Sequence, residues 1–158
     1  MPLRHAGVHP KGSLTLSQII ESVKKHPAYH NVGAMALFIG VVRGETRKSE
    51  SISRLELEAY DEKANEILDK ICQDLKHKRG IADVQIHHFT GSFKPGEDLV
   101  YVLVAGGHRE NVFPVLHEAV ERYKKEAPIF KKEYVMKKKG KSESYWINER
   151  HSASTPSH

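Results

Sequence analysis

The chain has 158 residues and a formal net charge of +5, with 39% hydrophobic and 28% charged residues, which fits one globular domain with a core of its own. Its only cysteine, Cys72, excludes an intrachain disulfide and any multi-cysteine metal site. No apolar run approaches the ~18 residues of a membrane span, and residues 1–12 contain no hydrophobic signal core, so we expect a cytoplasmic protein.

The first predicted elements are a loose arm and one short helix. Residues 1–12 contain two prolines and two glycines without hydrophobic periodicity, which predicts a flexible N-terminal arm. Ser13 or Thr15 can cap a helix that continues to Lys25, because apolar residues recur on one of its faces. Pro27 ends this helix.

Two strands follow, joined by a polar loop over residues 44–51. Residues 33–43 are mostly apolar and rich in Val, Ile and Phe, which predicts a buried strand. Residues 52–60 alternate between apolar and charged side chains, which predicts a strand with one solvated face. Arg43 stands where the first strand meets the loop, either as a fixed cation for a ligand or as a surface salt-bridge partner.

An amphipathic helix and two more strands are predicted in the middle of the chain. Apolar residues recur at helical spacing over residues 61–78. Cys72 lies within that apolar stripe, which indicates a core residue rather than a nucleophile, since no activating base is near it in the sequence. Strands are predicted over residues 82–89 and 99–105, with a turn over residues 91–98.

Neither of two histidine pairs predicts a metal site. His26 and His30 have the i, i+4 spacing of a helical ligand pair, but Pro27 interrupts the helix and no third ligand accompanies them. His87 and His88 are adjacent in a strand and therefore point to opposite faces.

The stretch Gly106-Gly107-His108-Arg109 joins a buried strand to a helix over residues 110–126. Glycines let the backbone approach a ligand, a helix N-terminus offers unpaired N–H groups, and His108 and Arg109 add side-chain donors. A phosphate-binding corner is one interpretation, and ordinary turn chemistry is the other. The predicted inner face of the helix consists of Phe113, Leu116, Val120 and Tyr123.

The most informative basic stretch is KKEAPIFKKE, residues 124–133. Pro128 and the alanine before it end the helix and turn the chain into a strand. This turn is expected to bring Lys124 and Lys131 near each other, in an arrangement that suits an anion. Residues 124–141 contain eight lysines and two glutamates, which indicates an anionic partner, although charge runs are also typical of a solvated surface.

The last elements are two short strands, over residues 133–136 and around residues 145–147, with a lysine-rich turn over residues 137–142 between them. Residues 13–150 are expected to form a single domain. Residues 151–158 form a Ser/Pro/His-rich tail, which predicts disorder. Helices do not alternate strictly with strands, so the predicted fold class is α+β with a largely antiparallel sheet.

Five motifs, in this order and spacing, resemble the large, catalytic subunit of molybdopterin synthase. They are GVVR (40–43), LELEAY (55–60), GHRENVF (107–113), YKKEAPIFKKE (123–133) and YWI…R (145–150). No one of them is decisive, but together they are specific, and the resemblance covers residues 33–150.

The resemblance implies an α/β hammerhead-type fold with an additional antiparallel sheet. It implies a homodimer within a heterotetramer, in which a small ubiquitin-like sulfur-carrier subunit docks on each protomer. The C-terminal Gly-Gly thiocarboxylate of the carrier would donate sulfur to cyclic pyranopterin monophosphate, and two transfers would complete the dithiolene of molybdopterin. No metal or redox cofactor is implied for this subunit.

The same resemblance assigns the site residues. Lys124 is implied as the main acid/base beside the carrier tail, and Lys131 as its electrostatic support. The implied substrate-binding residues are Phe38, Arg43, His108, Arg109 and Arg150, the last of which acts across the dimer interface in the family. Cations suit a cyclic phosphate, and a thiocarboxylate nucleophile removes the need for a catalytic cysteine.

Two positions depart from the family pattern. His88 is followed by Phe89, where the family usually has arginine, so either one pocket cation is missing or the lysines of residues 137–141 replace it. The family's tryptophan before the second lysine is Phe130, which is a conservative change.

The alternative function is a basic nucleic-acid or polyanion binding module without catalysis. Aromatic residues that could stack on bases are interleaved with the lysines, namely Phe130, Tyr134, Tyr145 and Trp146. Such binding would weaken steeply with salt. A catalytically inert homologue is a third interpretation, against which the presence of both Lys124 and Lys131 argues.

Overall fold

The computed structural model describes residues 4–136 and 142–147. Its strands and helices, in chain order, are β1 (Ala6–Pro10), α1 (Leu16–Lys24), β2 (Ala34–Val41), β3 (Ser51–Ala59), α2 (Asp61–Lys76), β4 (Ile81–Phe93), β5 (Asp98–Gly106), α3 (Arg109–Glu126), β6 (Ile129–Met136) and β7 (Ser142–Ile147). The α+β class is confirmed, and one strand, β1, precedes the helix that was predicted first.

β1 corrects the prediction of a flexible arm over residues 1–12. It pairs in parallel with β4, from Ala6 beside Ile86 to Pro10 beside Thr90. Its first residue, Ala6, is 3% exposed and belongs to the core. The arm prediction was wrong for this segment because a five-residue strand shows no local periodicity when its pairing partner lies far along the chain.

One sheet contains the seven described strands, in the order β2-β5-β4-β3-β6-β7, with β1 attached to β4. All pairs except β1–β4 are antiparallel. β4 joins two halves of the sheet, since residues 81–88 pair with β5 and residues 91–93 pair with β3. Gly91, predicted in a turn, instead lies inside β4 where it passes between the halves. The strands β3, β6 and β7 form the second half of this sheet, which corresponds to the additional antiparallel sheet that the resemblance implies.

The helices cover the two faces of the β2-β5-β4 half. α2 and α3 lie side by side on one face, where the ring centroids of Tyr123 and His88 are 5.7 Å apart. α1 contacts the other face, where Ser22 accepts a hydrogen bond from Gln85. Because it lies between these layers, β5 is buried along almost its whole length.

α1 begins with a capping box, which decides between the two predicted caps. Thr15 accepts a hydrogen bond from the Gln18 N–H through its hydroxyl (3.2 Å), and the Gln18 side chain accepts one from the Thr15 N–H (2.8 Å). Thr15 is therefore the cap, and the helix ends at Lys24, shortly before Pro27.

α2 contributes the apolar stripe that the sequence predicts. Its fully buried residues are Ala64, Leu68, Ile71, Cys72 and Leu75. Burial raises the pKa of the Cys72 thiol to about 12, so the reactive thiolate is strongly disfavoured. The interpretation of Cys72 as a core residue is confirmed.

The buried face of α3 matches the prediction in part, because Tyr123 is buried and Leu116 and Val120 pack partly against the core. The buried residues are Val112, Val115, Ala119 and Tyr123. Phe113, predicted on the inner face, is 60% exposed. Val112 packs closely against Gly106, since a Cβ at Gly106 would lie only 2.9 Å from Val112 Cγ2.

β2 is less buried than predicted, because it is an edge strand of the described sheet. Met35, Ile39 and Val41 are 41%, 38% and 47% exposed. The alternate residues of β2 face α3, and among them Phe38 packs partly against the core. One apolar side of an edge strand thus remains accessible.

A chain of buried polar side chains runs along β4. Its pairs are His9–His87, His87–Gln85, Gln85–Asp83 and Gln85–Ser22, each 2.9 Å apart. Since the Gln85 amide nitrogen donates to Asp83 and Ser22, its oxygen must accept from His87 Nε2. His87 Nδ1 then carries a lone pair and accepts from His9 Nε2, which fixes the direction of every bond in the chain.

The charge of Asp83 is compensated at the other end of this chain. Lys76 Nζ lies 3.4 Å from Asp83 Oδ1, and His5 Nδ1 lies 3.1 Å from the same oxygen without hydrogen-bond geometry. Asp83 itself is only 1% exposed. A carboxylate this deeply buried needs such partners.

Two kinds of feature are missing from the part of the chain that the structure describes. None of its helices has the length and apolar character needed to cross a membrane. Among residues 4–136 and 142–147, no group of three or more His, Cys, Asp or Glu side chains could hold a metal ion.

Candidate active site

Lys124 lies in the last turn of α3, which ends where the sequence predicts. Ala127 leaves helical geometry (φ −77°, ψ 132°), Pro128 follows, and β6 begins at Ile129. The strand begins four residues earlier than predicted, so Lys131 lies within β6 rather than before it.

Lys131 lies on the inner face of the sheet. It pairs with Leu57 of β3 on one side and with Ile147 of β7 on the other. Directly paired residues of antiparallel strands share a face, and Leu57 is only 2% exposed. Lys131 is half-buried.

Arg43 stands at the same end of the sheet as the last turn of α3. β2 and β5 are antiparallel, and Val41 pairs with Asp98, where β5 begins. Tyr123, next to Lys124, contacts His88, which pairs with Val100 near the start of β5. We call Arg43, Lys124 and Lys131, which flank this end of the α3 layer, the lysine end.

The backbone before Arg43 is held firmly. Val42 is 4% exposed, its N–H donates to the Glu97 carbonyl (2.9 Å), and its carbonyl accepts from the Gly96 N–H (2.9 Å). Arg43 itself is exposed. A fixed backbone with an exposed guanidinium is suited to bidentate binding of a phosphate.

Phe38 lies in the middle of β2, on the face that α3 covers. It pairs with Val102 of β5 and is partly buried against the core. Its ring can form part of an apolar wall under the middle of α3. Phe38 does not lie next to the lysines, because it pairs with the middle of β5 and the lysine end lies beside the start of β5.

His108 and Arg109 lie at the opposite end of α3. His108 is the N-cap, with φ −142° and ψ 149°, and Arg109 is the first helical residue. The Arg109 side chain is 77% exposed, with its Nε 3.5 Å from the Glu110 carboxylate. Since α3 rises about 1.5 Å per residue, Arg109 and Lys124 are about 22 Å apart along its axis. One copy of the chain therefore does not bring all the predicted residues into one site.

The two glycines before α3 serve the packing of the chain itself. The Gly107 N–H donates to the Gly80 carbonyl (2.9 Å), and the Gly106 carbonyl accepts from the Gly33 N–H (2.9 Å). A Cβ at Gly106 would lie 2.5 Å from the Gly80 oxygen. The close backbone approach at these glycines is needed for the fold. The groups at this end that can donate hydrogen bonds to an anion are therefore the helix N-terminus, His108 and Arg109.

Phe89, which stands where the family usually has arginine, is buried among aromatic rings. It is 3% exposed, and its ring lies 5.4 Å from that of Tyr101 and 6.0 Å from that of His9. Phe89 shares a face with His87 and points away from the His88–Tyr123 contact beneath α3. The prediction that one pocket cation is missing, or is replaced by the lysines of residues 137–141, stays a prediction. Arg150 and the lysines of residues 137–141 lie outside the described residues.

Aromatic residues on the outer face of β6 and β7 are engaged by groups of the chain itself. Lys132 Nζ lies 5.5 Å from the ring centroids of both Tyr134 and Trp146, and the Arg54 guanidinium lies 4.0 Å from that of Tyr134. The Tyr134 hydroxyl donates to Glu56 (3.0 Å). These contacts, with a carboxylate among them, make a poor platform for stacked bases. The side chain of Tyr145 lies outside the described ones.

The sequence matches the family model "MoaE protein" over residues 11–126. The chain belongs to the MoaE family. It is 35% identical over 138 residues to a probable molybdopterin synthase of Haloferax volcanii, covering 87% of this chain and 51% of that protein. It is 35% identical over 123 residues to the molybdopterin synthase catalytic subunit of Bacillus subtilis, covering 78% and 75%. The chain thus spans about half the length of its archaeal relative.

Solved structures of the MoaE family share the fold. A molybdopterin synthase of Staphylococcus aureus superposes with a TM-score of 0.78 at 26% identity, covering 92% of this chain and 98% of that one. The complex of subunits 1 and 2 of molybdopterin-converting factor from Helicobacter pylori gives 0.67 at 22% identity, covering 88% of each chain. The hammerhead-type fold expected from the resemblance agrees with these superpositions.

Proposed function

We propose that this MoaE-family chain is the catalytic subunit of a molybdopterin synthase. It would transfer two sulfurs from the C-terminal thiocarboxylate of a small ubiquitin-like carrier to cyclic pyranopterin monophosphate, forming the dithiolene of molybdopterin. The observation that carries the proposal is the lysine end, where Arg43, Lys124 and Lys131 flank one end of the α3 layer in a chain whose relatives are molybdopterin synthases.

The chemistry of the lysine end fits such a reaction. Arg43 would bind the phosphate of the substrate through its planar guanidinium. Lys124 stands in the last turn of α3, and its ammonium group would donate a proton to the oxygen released when the cyclic phosphate opens. Lys131, half-buried in β6, would stabilise the developing negative charge. The thiocarboxylate supplies the nucleophilic sulfur, and its attack on a substrate carbon forms a thioester between carrier and substrate. Water would then cleave the acyl–sulfur bond, so that the sulfur stays on the substrate and the carrier leaves with a C-terminal carboxylate; the buried Cys72 is not required.

A second copy of the chain would complete the site. His108 and Arg109 stand about 22 Å along α3 from Lys124, too far to reach one small substrate from the same chain. β2 is an edge strand with exposed Met35 and Ile39, and it runs from the end near His108 to the lysine end. Two β2 strands paired antiparallel about a two-fold axis would place His108 and Arg109 of one copy beside the lysine end of the other.

The proposed partner is the small sulfur-carrier subunit, giving a heterotetramer of two catalytic and two carrier chains. The Helicobacter relative was solved as a complex of two subunits, which supports this assembly. We also propose a single domain, predicted over residues 13–150 and extended to include β1, and a cytoplasmic location. Arg150 remains a predicted substrate-binding residue contributed across the dimer interface.

The test is a reconstitution with a thiocarboxylated carrier and cyclic pyranopterin monophosphate, reading molybdopterin as its fluorescent oxidised derivative. Lys124→Ala is expected to lower the rate by about 100-fold or more, as loss of a positioned proton donor does. Lys125→Ala is the matched control, because Lys125 lies in the same turn but is exposed and pairs with Glu121 (3.9 Å). The control is expected to retain nearly the parent rate.

The outcomes separate the claims. Equal rates for the parent and Lys124→Ala would keep the function and reject the role of Lys124. No product from the parent, with a carrier that is active on a Bacillus synthase, would reject the function. Binding of RNA that is strong at low salt and lost at high salt would then favour the polyanion-binding alternative.

A further inference from the structure

The turn that follows β4 has well-defined geometry. The Glu97 N–H donates to the Lys94 carbonyl (3.1 Å), which closes a four-residue turn over residues 94–97. Pro95 occupies its second position, and Gly96, with φ +91°, its third. This is the residue pattern of a type II turn, in which the third position requires a positive φ.

The Glu97 carboxylate ties this turn to the N-terminal segment. Its Oε1 accepts from the Lys94 N–H (2.6 Å) and from Lys11 Nζ (2.9 Å). The hydrogen bond from Lys11, followed by that from the Lys94 backbone, holds the pKa of Glu97 below its usual value, so the carboxylate is ionised at neutral pH. The contact is therefore a charged one.

Lys11 is itself fixed to β4. Its N–H donates to the Thr90 carbonyl (2.9 Å), and its Nζ donates to the Ser92 carbonyl (3.0 Å). The same ammonium group lies 5.2 Å from the centroid of the Phe93 ring. Lys11 follows β1 directly, so pairing of β1 with β4 sets the position of its ammonium group.

The turn over residues 94–97 also holds Val42, the residue before Arg43. Val42 makes both of its backbone hydrogen bonds to this turn, with the Glu97 carbonyl and the Gly96 N–H, each 2.9 Å long. A continuous series of hydrogen bonds therefore connects Lys11 through Glu97 to Val42. Arg43 is the next residue and projects from the end of this supported segment.

We propose that Glu97 and Lys11 are positioning residues that fix Arg43 at the lysine end. Neither of them touches the substrate; they act through the turn over residues 94–97 and through Val42. The identity of the ligand of Arg43 rests on the proposed function, whereas the ordering of Arg43 does not. The Lys11 and Glu97 side chains are 40% and 36% exposed, and exposed ion pairs contribute little to global stability, so the effect is local.

The first experiment measures order without any activity. Amide hydrogen exchange at Val42 and NMR relaxation of the Arg43 Nε–H group are compared in the parent, Glu97→Ala and Lys11→Ala. Both variants are expected to speed exchange at Val42 by about tenfold and to loosen Arg43, because local opening governs exchange of such amides. Lys63→Ala is the control, since Lys63 forms an exposed pair with Glu66 (3.3 Å) on α2, and it is expected to change neither.

The second experiment measures molybdopterin formation. Glu97→Ala is expected to raise KM for cyclic pyranopterin monophosphate by about fivefold, with a smaller change in kcat and in the carrier dependence, because a loosened Arg43 loses binding geometry. Glu97→Gln keeps an oxygen acceptor for the Lys94 N–H and is expected to recover part of the loss. In an Arg43→Ala background, Glu97→Ala is expected to add almost nothing.

The results separate this inference from the proposed function. Unchanged exchange at Val42 and unchanged order of Arg43 in Glu97→Ala would overturn the inference, as would an equal effect of Glu97→Ala with and without Arg43. Loosening of Arg43 in a parent chain that makes no molybdopterin would support the positioning role and reject the proposed function.

Discussion

Protonation of His87 would break the buried chain of hydrogen bonds along β4. Burial lowers the pKa of His87 to about 3, and repulsion from His9 and His5 outweighs the attraction of Asp83. Burial also lowers the pKa of His9. The unfolded chain, with an ordinary histidine pKa of about 6.5, therefore takes up protons first as the pH falls. The stability linked to His87 is complete above about pH 6.5 and is lost progressively toward pH 3.

His87→Gln tests this pH dependence at the level of one residue. The parent is expected to lose on the order of 2 kcal/mol of unfolding free energy through His87 between pH 7 and pH 4.5. The glutamine variant does not titrate at this position, so its loss over the same range is expected to be smaller, whatever its stability at pH 7. Urea unfolding at both pH values measures the difference, with exposed His117→Gln as the control. Equal losses in parent and His87→Gln would contradict the assignment.

Single residues were predictable from the sequence only where a motif marked them. Arg43, Lys124 and Lys131 stand in such motifs, and the structure places them around one end of the sheet. Lys11 and Glu97 carry no local signal, because their contact joins positions 86 residues apart. The prediction that His87 and His88 point to opposite faces of their strand is confirmed. The hydrogen-bonded chain from His9 to Asp83 was not predictable, because it depends on β1, which local sequence patterns did not reveal.

At the scale of elements, β1 links the polar chain to the candidate site. Its His9 bonds to His87, and Lys11 follows directly after its last residue. Without β1, His87 would lose its hydrogen-bond partner His9, and Lys11 would lose the strand that positions its ammonium group beside Glu97. Removing part of a buried hydrogen-bond network costs unfolding free energy, because the remaining buried polar groups lose their partners.

Removal of residues 2–10 tests the importance of β1. The truncated chain is expected to lose about 3 kcal/mol or more of unfolding free energy, because it loses strand pairing and breaks a buried polar network. Thermal and urea unfolding measure the loss. Removal of only residues 2–3 is the control and is expected to be nearly neutral. Equal stability of the two truncated chains would show that β1 adds no stability.

Helices and strands with strong periodicity were predictable, and the errors have local causes. A bulge between Ile52 and Arg54 shifts the register of β3, so its buried residues do not alternate strictly. β4 continues through Gly91, because this strand changes partners there instead of turning. On α3, two adjacent apolar stripes meet at Tyr123, so periodicity alone did not show that Phe113 is exposed.

At the scale of the whole molecule, α3 holds the predicted site residues apart. His108 and Arg109 stand at its N-terminal end, and Lys124 stands in its last turn. No rearrangement of side chains spans about 22 Å. In the proposed dimer, antiparallel pairing of two β2 edges would bring the unlike ends together, because the exposed edge of β2 runs between the two ends.

Mixed dimers test whether two copies share the site. Lys124→Ala and Arg109→Ala are each expected to be inactive alone, but co-refolding them in equal amounts is expected to restore about a quarter of the parent activity, because half of the dimers then carry one intact site. Lys124→Ala mixed with Lys131→Ala is the matched control. Both changes fall on the lysine end of one chain, so no mixed dimer has an intact site and no activity should return. Absence of recovery in the first mixture, when the parent refolds to full activity, would place His108 and Arg109 outside the site of the partner copy. Full activity of Arg109→Ala alone would remove Arg109 from the site altogether.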